Sequence, residues 1–267
     1  MANVSYCVLV VLYKMKAEEA PTLQSLKQSR DQLNGSHIVV WDNSPVAQAE
    51  ESIKWLQSVF SSCEYFFTSE NTGLSKIYNT VYRAYHSYSH FFILDQDSRF
   101  DGSYLQKLKQ SIVDHPWIDL FVPLVRYKDT IVSPGRFLLF KGNYRKKVLF
   151  GPNSTKSMCV ISSGMCISFR YLNFTFKGFD EELDFYGIDT SFSLQYRRNK
   201  SWFCVIAADF GHSLSINENE SPEVKKRRFN NLLASTKILV KNENYLIKAA
   251  TQLYLCYRNI KFKITSK

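Results

Sequence analysis

Along the first 126 residues, short apolar runs alternate with stretches of helical period. "YCVLVVLY", "HIVVWDNS", "CEYFFTS", "HFFILDQD" and "IDLFVPLV" are too short for helices and rich in β-branched or aromatic residues, so they predict five strands, the first over Tyr6–Leu12. Glu18 to Leu33, Ala47 to Gln57 and Ser103 to Val113 predict helices between them. After a turn at Asn71 to Gly73, Leu74, Ile77, Tyr78, Val81, Tyr82 and Tyr85 recur at helical spacing and mark an amphipathic helix. Strands alternating with helices predict an α/β fold built on a doubly wound, mostly parallel sheet. From 127 to 176 the apolar runs shorten between Gly, Pro, Asn and Ser, which predicts hairpins and loops over the sheet's edge. A helix over Ile188 to Asn199 and a strand at "WFCVIAA" close the domain at about residue 217, and two helices follow in a tail over 218–267.

Composition narrows the class. A chain of 267 residues can bury a sizeable core as one α/β domain plus a tail. No apolar run approaches the roughly 18 residues needed to cross a bilayer. The start, "MANVSYCVLVVLYK", lacks the cationic region of a signal peptide and reads as a strand. Six scattered cysteines without a C-x-x-C pair predict neither disulfides nor zinc, and a reducing, cytoplasmic address. Of the formal charge of +10, the tail carries +7, from eleven Lys or Arg against four Glu. A basic block of this kind suits an anionic surface.

In a parallel sheet of this type, ligands bind at the carboxyl ends of the strands. Tyr13, Asp42, Asn71, Asp95 and Asp97 all fall there. Side chains two apart in a strand share a face, so Asp95 and Asp97 repel unless a cation lies between them. Oxygen donors of this sort suit Mg²⁺ or Mn²⁺, which can in turn hold a diphosphate. The alternative is a turn or helix cap built from Asp97 and Ser98.

Seven segments in order, "VVLYK", "VVWDNS", "NTGLSKIYN", "FILDQDS", "SSGMCIS", "GFDEELDFYGIDTSFSLQYRRNK" and "FGHSLS", resemble glycosyltransferase family 2, the inverting transferases with a GT-A fold. Within it they resemble the bacterial rhamnosyltransferase-like group that builds surface polysaccharides. The resemblance covers about residues 6 to 216 and implies a nucleotide-sugar-binding part over 1–126 and an acceptor-binding part over 127–217. It implies that Asp95 and Asp97 hold Mg²⁺ or Mn²⁺ on the donor's diphosphate, Asp97 being favoured as the direct ligand, and that His212 contacts metal or phosphate. Leu12, Tyr13 and Asp42 would form the base pocket, with an Asx-turn in "WDNSP" the alternative for Asp42. Asn71 and Gly73 would meet the donor or simply cap the next helix. Ser163, Gly164, Asp180 and Glu181 would face the acceptor. Asp189 would be the general base, a position where Asp also caps a helix. Many relatives carry a second acid where this chain has Ser191.

The function so implied is transfer of a sugar, rhamnose from dTDP-rhamnose or a hexose from a UDP-sugar, onto a lipid-linked oligosaccharide. The setting would be O-antigen or capsule synthesis at the inner face of the cytoplasmic membrane. The tail mixes Lys and Arg with Leu, Ile and Tyr, as an interfacial anchor would, or as a helical cap with a solvated basic face would. A sequence pI of 9.2 and many aromatics raise a nucleic-acid-binding alternative. The aromatics lie in core-like runs and no nucleic-acid motif is present, so no nucleic-acid partner is expected. An inactive nucleotide-sugar-binding scaffold is the other alternative, against which stand Asp95, Asp97 and Asp189.

Overall fold

A computed structural model describes residues 4–127, 130–138, 141–211, 221–241 and 243–265. Its first half alternates β1 (Tyr6–Leu12), α1 (Pro21–Gln28), β2 (His37–Asp42), α2 (Glu50–Val59), β3 (Cys63–Phe67), α3 (Leu74–Ala84), β4 (His90–Asp95) and α4 (Gly102–Asp114). There follow β5 (Leu120–Tyr127), β6 (Thr130–Leu138), β7 (Lys141–Arg145), β8 (Gly151–Ser154), β9 (Met158–Cys159) and β10 (Met165–Ser168). The chain then forms α5 (Phe169–Phe174), α6 (Ile188–Asn199), β11 (Trp202–Asp209), α7 (Pro222–Leu239) and α8 (Tyr245–Thr265).

The main sheet runs β3-β2-β1-β4-β10-β5-β11-β8. Its left half is parallel, and β11 is parallel to β5. Period-two alternation sends Tyr6, Val8, Val10 and Leu12 to one face, with Leu23 and Leu26 of α1, Leu56 of α2 and Tyr104, Leu105 and Leu108 of α4. Cys7, Leu9 and Val11 go to the other, against Ile77, Tyr78, Val81 and Tyr82 of α3 and Phe192 and Tyr196 of α6. Both faces are covered, which is why the central strands read as unbroken apolar runs.

Three differences from the sequence expectations have local causes. The helix expected over Glu18 to Leu33 is divided into a short 3-10 turn, α1 and a second 3-10 turn, because Pro21 lacks an N–H and suits only a first turn. The helix expected from Ala47 starts at Glu50, since residues 42–48 are held in a loop by Asp42. The stretch 127–176 does more than cover an edge. The β6–β7 hairpin and β9 form an outlying ladder and β8 takes the edge beside β11, but β10 is inserted antiparallel between β4 and β5.

The tail is helical and docked. Ile238 and Leu239 of α7 pack on the core, and Arg198 pairs with Glu243 at 2.8 Å. Lys241 also pairs with Glu182. α8 folds back on α7 through buried Leu255 and a stack of Phe229 on Phe262 with ring centroids 4.1 Å apart. Among the described residues no helix is long and apolar enough to cross a membrane.

Candidate active site

The register of the parallel strands brings three chain ends together, with Leu12 opposite Asp42 and Val11 opposite Asp95. Strand β4 stops at Asp95, and Gln96 and Asp97 form a turn. The shared-strand-face argument for the two aspartates therefore does not hold; they are placed by a fastened turn instead. The Thr22 hydroxyl bonds the Asp95 carbonyl and accepts from Ser98 N–H at 2.9 Å. The Ser163 hydroxyl accepts from Asp95 N–H at 3.3 Å and lies 2.7 Å from that of Ser98. Gln96 pairs its side-chain amide with the Tyr13 backbone, accepting at 2.7 Å and donating at 3.3 Å. With Tyr13's backbone engaged, its ring is the part left exposed, and Lys14 Nζ sits 5.1 Å from the ring centroid.

Ser163 and Gly164, expected to face the acceptor, are buried behind this turn as its supports. Gly164 has φ +83°, and a Cβ there would fall 2.5 Å from Pro123 Cγ, so only glycine fits. Arg99 and Gly211 exchange backbone hydrogen bonds of 2.8 Å, which brings the chain just before His212 to the same turn. His212 itself lies outside the described residues.

Asp42 is wholly buried. Its carboxylate accepts from Ser44 N–H, Gln48 N–H, the Gln48 side-chain amide and the Tyr65 hydroxyl, the last at 2.8 Å. These bonds consume its acceptor capacity, so the Asx-turn alternative describes its observed state, and what it presents to a ligand is a rigid loop. Asn43 is the neighbour that sequence reasoning missed. It donates to Asn71 Oδ1 at 3.0 Å and to the Thr72 carbonyl at 2.8 Å, and accepts from Thr72 N–H at 2.9 Å. The 71–73 turn is thereby bound to the end of β2. A Cβ on Gly73 would lie 2.7 Å from Asp184 Oδ1, so the glycine lets the 179–184 loop close on α3. Asn79 holds that loop by accepting from Phe179 N–H at 2.9 Å and donating to Glu181 Oε1 at 2.8 Å. Asp180 accepts from Glu182 N–H at 3.1 Å within the same loop.

Asp189 sits in the first turn of α6, whose N-cap is Gly187 in the left-handed conformation. Its Oδ1 accepts from Thr190 N–H at 2.7 Å. Burial raises its pKa above the ordinary carboxylate range, partly offset by the Thr190 hydrogen bonds. Tyr78, which the helical period marked only as a core position, is fully buried together with its hydroxyl. Burial raises its pKa foremost, the charges of Asp95 and Asp189 add to this, and a hydrogen bond with the Ser162 side chain acts the other way. The charges of the β4 turn and of the start of α6 thus both act on the buried Tyr78.

The donor set can be tested against a divalent cation. Among the described residues no group of three or more His, Cys, Asp or Glu side chains forms a closed metal cage. Asp95 and Asp97 are both half-buried, hard oxygen donors on one fastened turn. Such a pair fits Mg²⁺ or Mn²⁺ of the kind that takes its remaining ligands from phosphate and water.

The mixed sheet and its covering helices make up a GT-A fold, that of the solved glycosyltransferases to which the chain is similar. Residues 1–349 of TarS from S. aureus align with a TM-score of 0.60 at 18% identity, over 98% of this chain and 73% of that chain. The same protein solved in complex with UDP-GlcNAc gives 0.58 at 16% identity, over 97% and 73% of the two chains. GalNAc-T7, solved with UDP, GalNAc and Mn²⁺, gives 0.60 at 13% identity, over 89% of this chain and 48% of that one. The chain spans 44% of a longer TarS structure. No family model and no curated protein matches the chain.

Proposed function

We propose that this protein is a metal-dependent glycosyltransferase that uses a nucleotide sugar and inverts the anomeric centre. The observation that carries the reading is the pair Asp95 and Asp97 on a hydrogen-bonded turn at the strand ends of a GT-A sheet. Asp95 and Asp97, with His212 as a further ligand, would hold Mg²⁺ or Mn²⁺. The cation, when bound, offsets the charge that grows on the departing nucleoside diphosphate. Tyr13 offers its ring face to the base beside the loops that Asp42 and Asn43 hold rigid. Asp189 removes the proton of the acceptor hydroxyl, and its raised pKa makes it a stronger base than an ordinary carboxylate. Tyr78, fully buried, would act on the charges of the two carboxylates rather than touch substrate. Asp180 and Glu181 shape the acceptor side through the loop they hold on α3. Since the structures of similar fold were solved with UDP or UDP-GlcNAc, a UDP-sugar is favoured over dTDP-rhamnose as donor.

The acceptor reading is a lipid-linked oligosaccharide of bacterial surface polysaccharide, O-antigen or capsule, reached from the inner face of the cytoplasmic membrane. The support is α8, whose Leu246, Leu253, Tyr257, Ile260 and Ile264 are exposed. Their spacing of seven, four, three and four places them on one stripe, with Lys248, Lys261 and Lys263 on the same helix. An apolar stripe among cations matches a surface of anionic lipid.

The test is release of nucleoside diphosphate from UDP- and dTDP-sugars with Mn²⁺ or Mg²⁺. Release should stop in excess chelator and in Asp97→Ala. Full turnover in chelator would remove the metal from the reading, and no release from any nucleotide sugar would remove the reaction.

A further inference from the structure

A second concentration of charge lies away from the strand ends. Arg136 of β6, Arg145 of β7, Lys156 in the β8–β9 turn and Arg197 of α6 line an open cleft of about 630 Å³. Among the described residues no Asp or Glu lines it, and none of the four cations has a carboxylate within ion-pair distance. Burial lowers the pKa of Arg145 first, and the charge of Arg136 lowers it further. Burial is also the main cause that lowers Arg197. The Nε of Arg145 is buried without a hydrogen-bond partner. Arg197 spends one N–H on the Phe137 carbonyl at 3.1 Å, which fixes its guanidinium at the cleft wall. Like charges gathered around a cavity with donors left over are stabilised by an anion that enters it.

The cleft's position says which substrate would bring that anion. In the β6–β9 ladder Gly135 pairs with Cys159 and Arg136 with Met158. Cys159 Sγ is 3.8 Å from the Thr190 hydroxyl, and its thiol feels the charges of both Asp189 and Arg197. Arg197 stands eight residues after Asp189 on α6, about 12 Å along the axis. The cleft therefore adjoins Asp189 through Thr190 and Cys159. Three guanidiniums and a lysine exceed what a single carboxylate needs, while planar guanidinium forks match the tetrahedral oxygens of a phosphate.

We infer that this cleft is an anion subsite for a phosphate ester carried by the acceptor, beside the hydroxyl that Asp189 deprotonates. The assignment to the acceptor rests on the reading of Asp189 as the base; binding of the anion does not. The phosphate ester is either the diphosphate of a lipid carrier or a phosphate on the sugar chain. The experiment is calorimetric titration of the full chain in chelator, which silences the metal turn, with farnesyl diphosphate, mannose 6-phosphate and inorganic pyrophosphate. Wild type should bind at least one of them. Arg136→Ala with Lys156→Ala, both exposed side chains, should weaken that binding about tenfold or more, as should Arg145→Gln. UDP binding with Mn²⁺ should be unchanged in both variants. Tighter binding of farnesyl diphosphate assigns the carrier's diphosphate, and tighter binding of mannose 6-phosphate assigns a phosphate on the glycan. Loss of phosphate binding in the variants of a protein that fails to bind UDP would keep the subsite and sink the donor reading. Binding of no phosphate probe, or equal binding by the variants, overturns the proposal.

Discussion

Tyr78 and Asp189 each hold a polar group where burial is unfavourable. Tyr78→Phe keeps the packing of the buried ring and should fold about as stably as wild type. It should nonetheless lower turnover, because the buried hydroxyl acts on the charges of Asp95 and Asp189; wild-type kcat in a stable Tyr78→Phe variant would leave the hydroxyl with no role. For Asp189 the sign follows from its raised pKa. A carboxyl whose pKa is higher folded than unfolded favours the fold while protonated. That contribution is complete below the unfolded value and is lost as pH rises through the folded one. At neutral pH the charge is a liability to the fold, so Asp189→Asn should melt at or above the wild-type temperature. The same variant cannot take a proton and should turn over about 10²- to 10⁴-fold more slowly, with donor binding retained. In wild type, the acid limb of the pH–rate profile should lie above the ordinary carboxylate range. A limb within that range, or wild-type turnover in Asp189→Asn, would move the base elsewhere, with Glu181 next.

Between elements, the site depends on loops held at close quarters. The 179–184 loop reaches α3 only because Gly73 has no side chain, and Leu74 N–H donates to the Asp184 carbonyl at 2.6 Å across the same gap. Gly73→Ala would push Asp184 away by several tenths of an ångström, and with it the chain that leads into α6 and Asp189. The expected outcome is a folded protein with reduced kcat and near-normal UDP binding, checked by circular dichroism and steady-state kinetics. Unchanged kcat would show that loop closure does not position Asp189.

At the scale of the whole molecule, the tail has two faces with different partners. Ile238 and Leu239 of α7 are part of the core's packing, so removing the tail would uncover the domain. The stripe on α8 can be altered without that damage, because Leu253 and Ile260 are exposed. Leu253→Glu with Ile260→Glu should leave the melting temperature nearly unchanged and weaken flotation with phosphatidylglycerol vesicles. Added salt should weaken the wild-type association too, since exposed charges are screened over about 8 Å at physiological ionic strength. Equal flotation of the variant would assign the stripe to another partner.

Local physics made much of this legible in the amino-acid order. The strands β1, β2 and β4 follow from apolar runs of strand length, α3 and α6 from their helical period, and the strand-end position of Asp95 from where its run stops. These are properties of neighbouring residues. Pairings across the chain were decided only on folding. The four-residue run of β10 carries no mark of its place between β4 and β5, because its partners lie more than forty residues away for one and more than seventy for the other. Asp42 looked available for a ligand until Tyr65, 23 residues later, reached its carboxylate. Tyr78 shared its helical period with core residues, and nothing in that period tells an oxygen at the end of a ring from a methyl group. It feels the charges of Asp95 and Asp189 only because the folded sheet and α6 bring both carboxylates within electrostatic reach. Which polar groups are spent within the fold and which remain for chemistry is a matter of tertiary proximity, and a burial cost has meaning only once the surrounding atoms are in place.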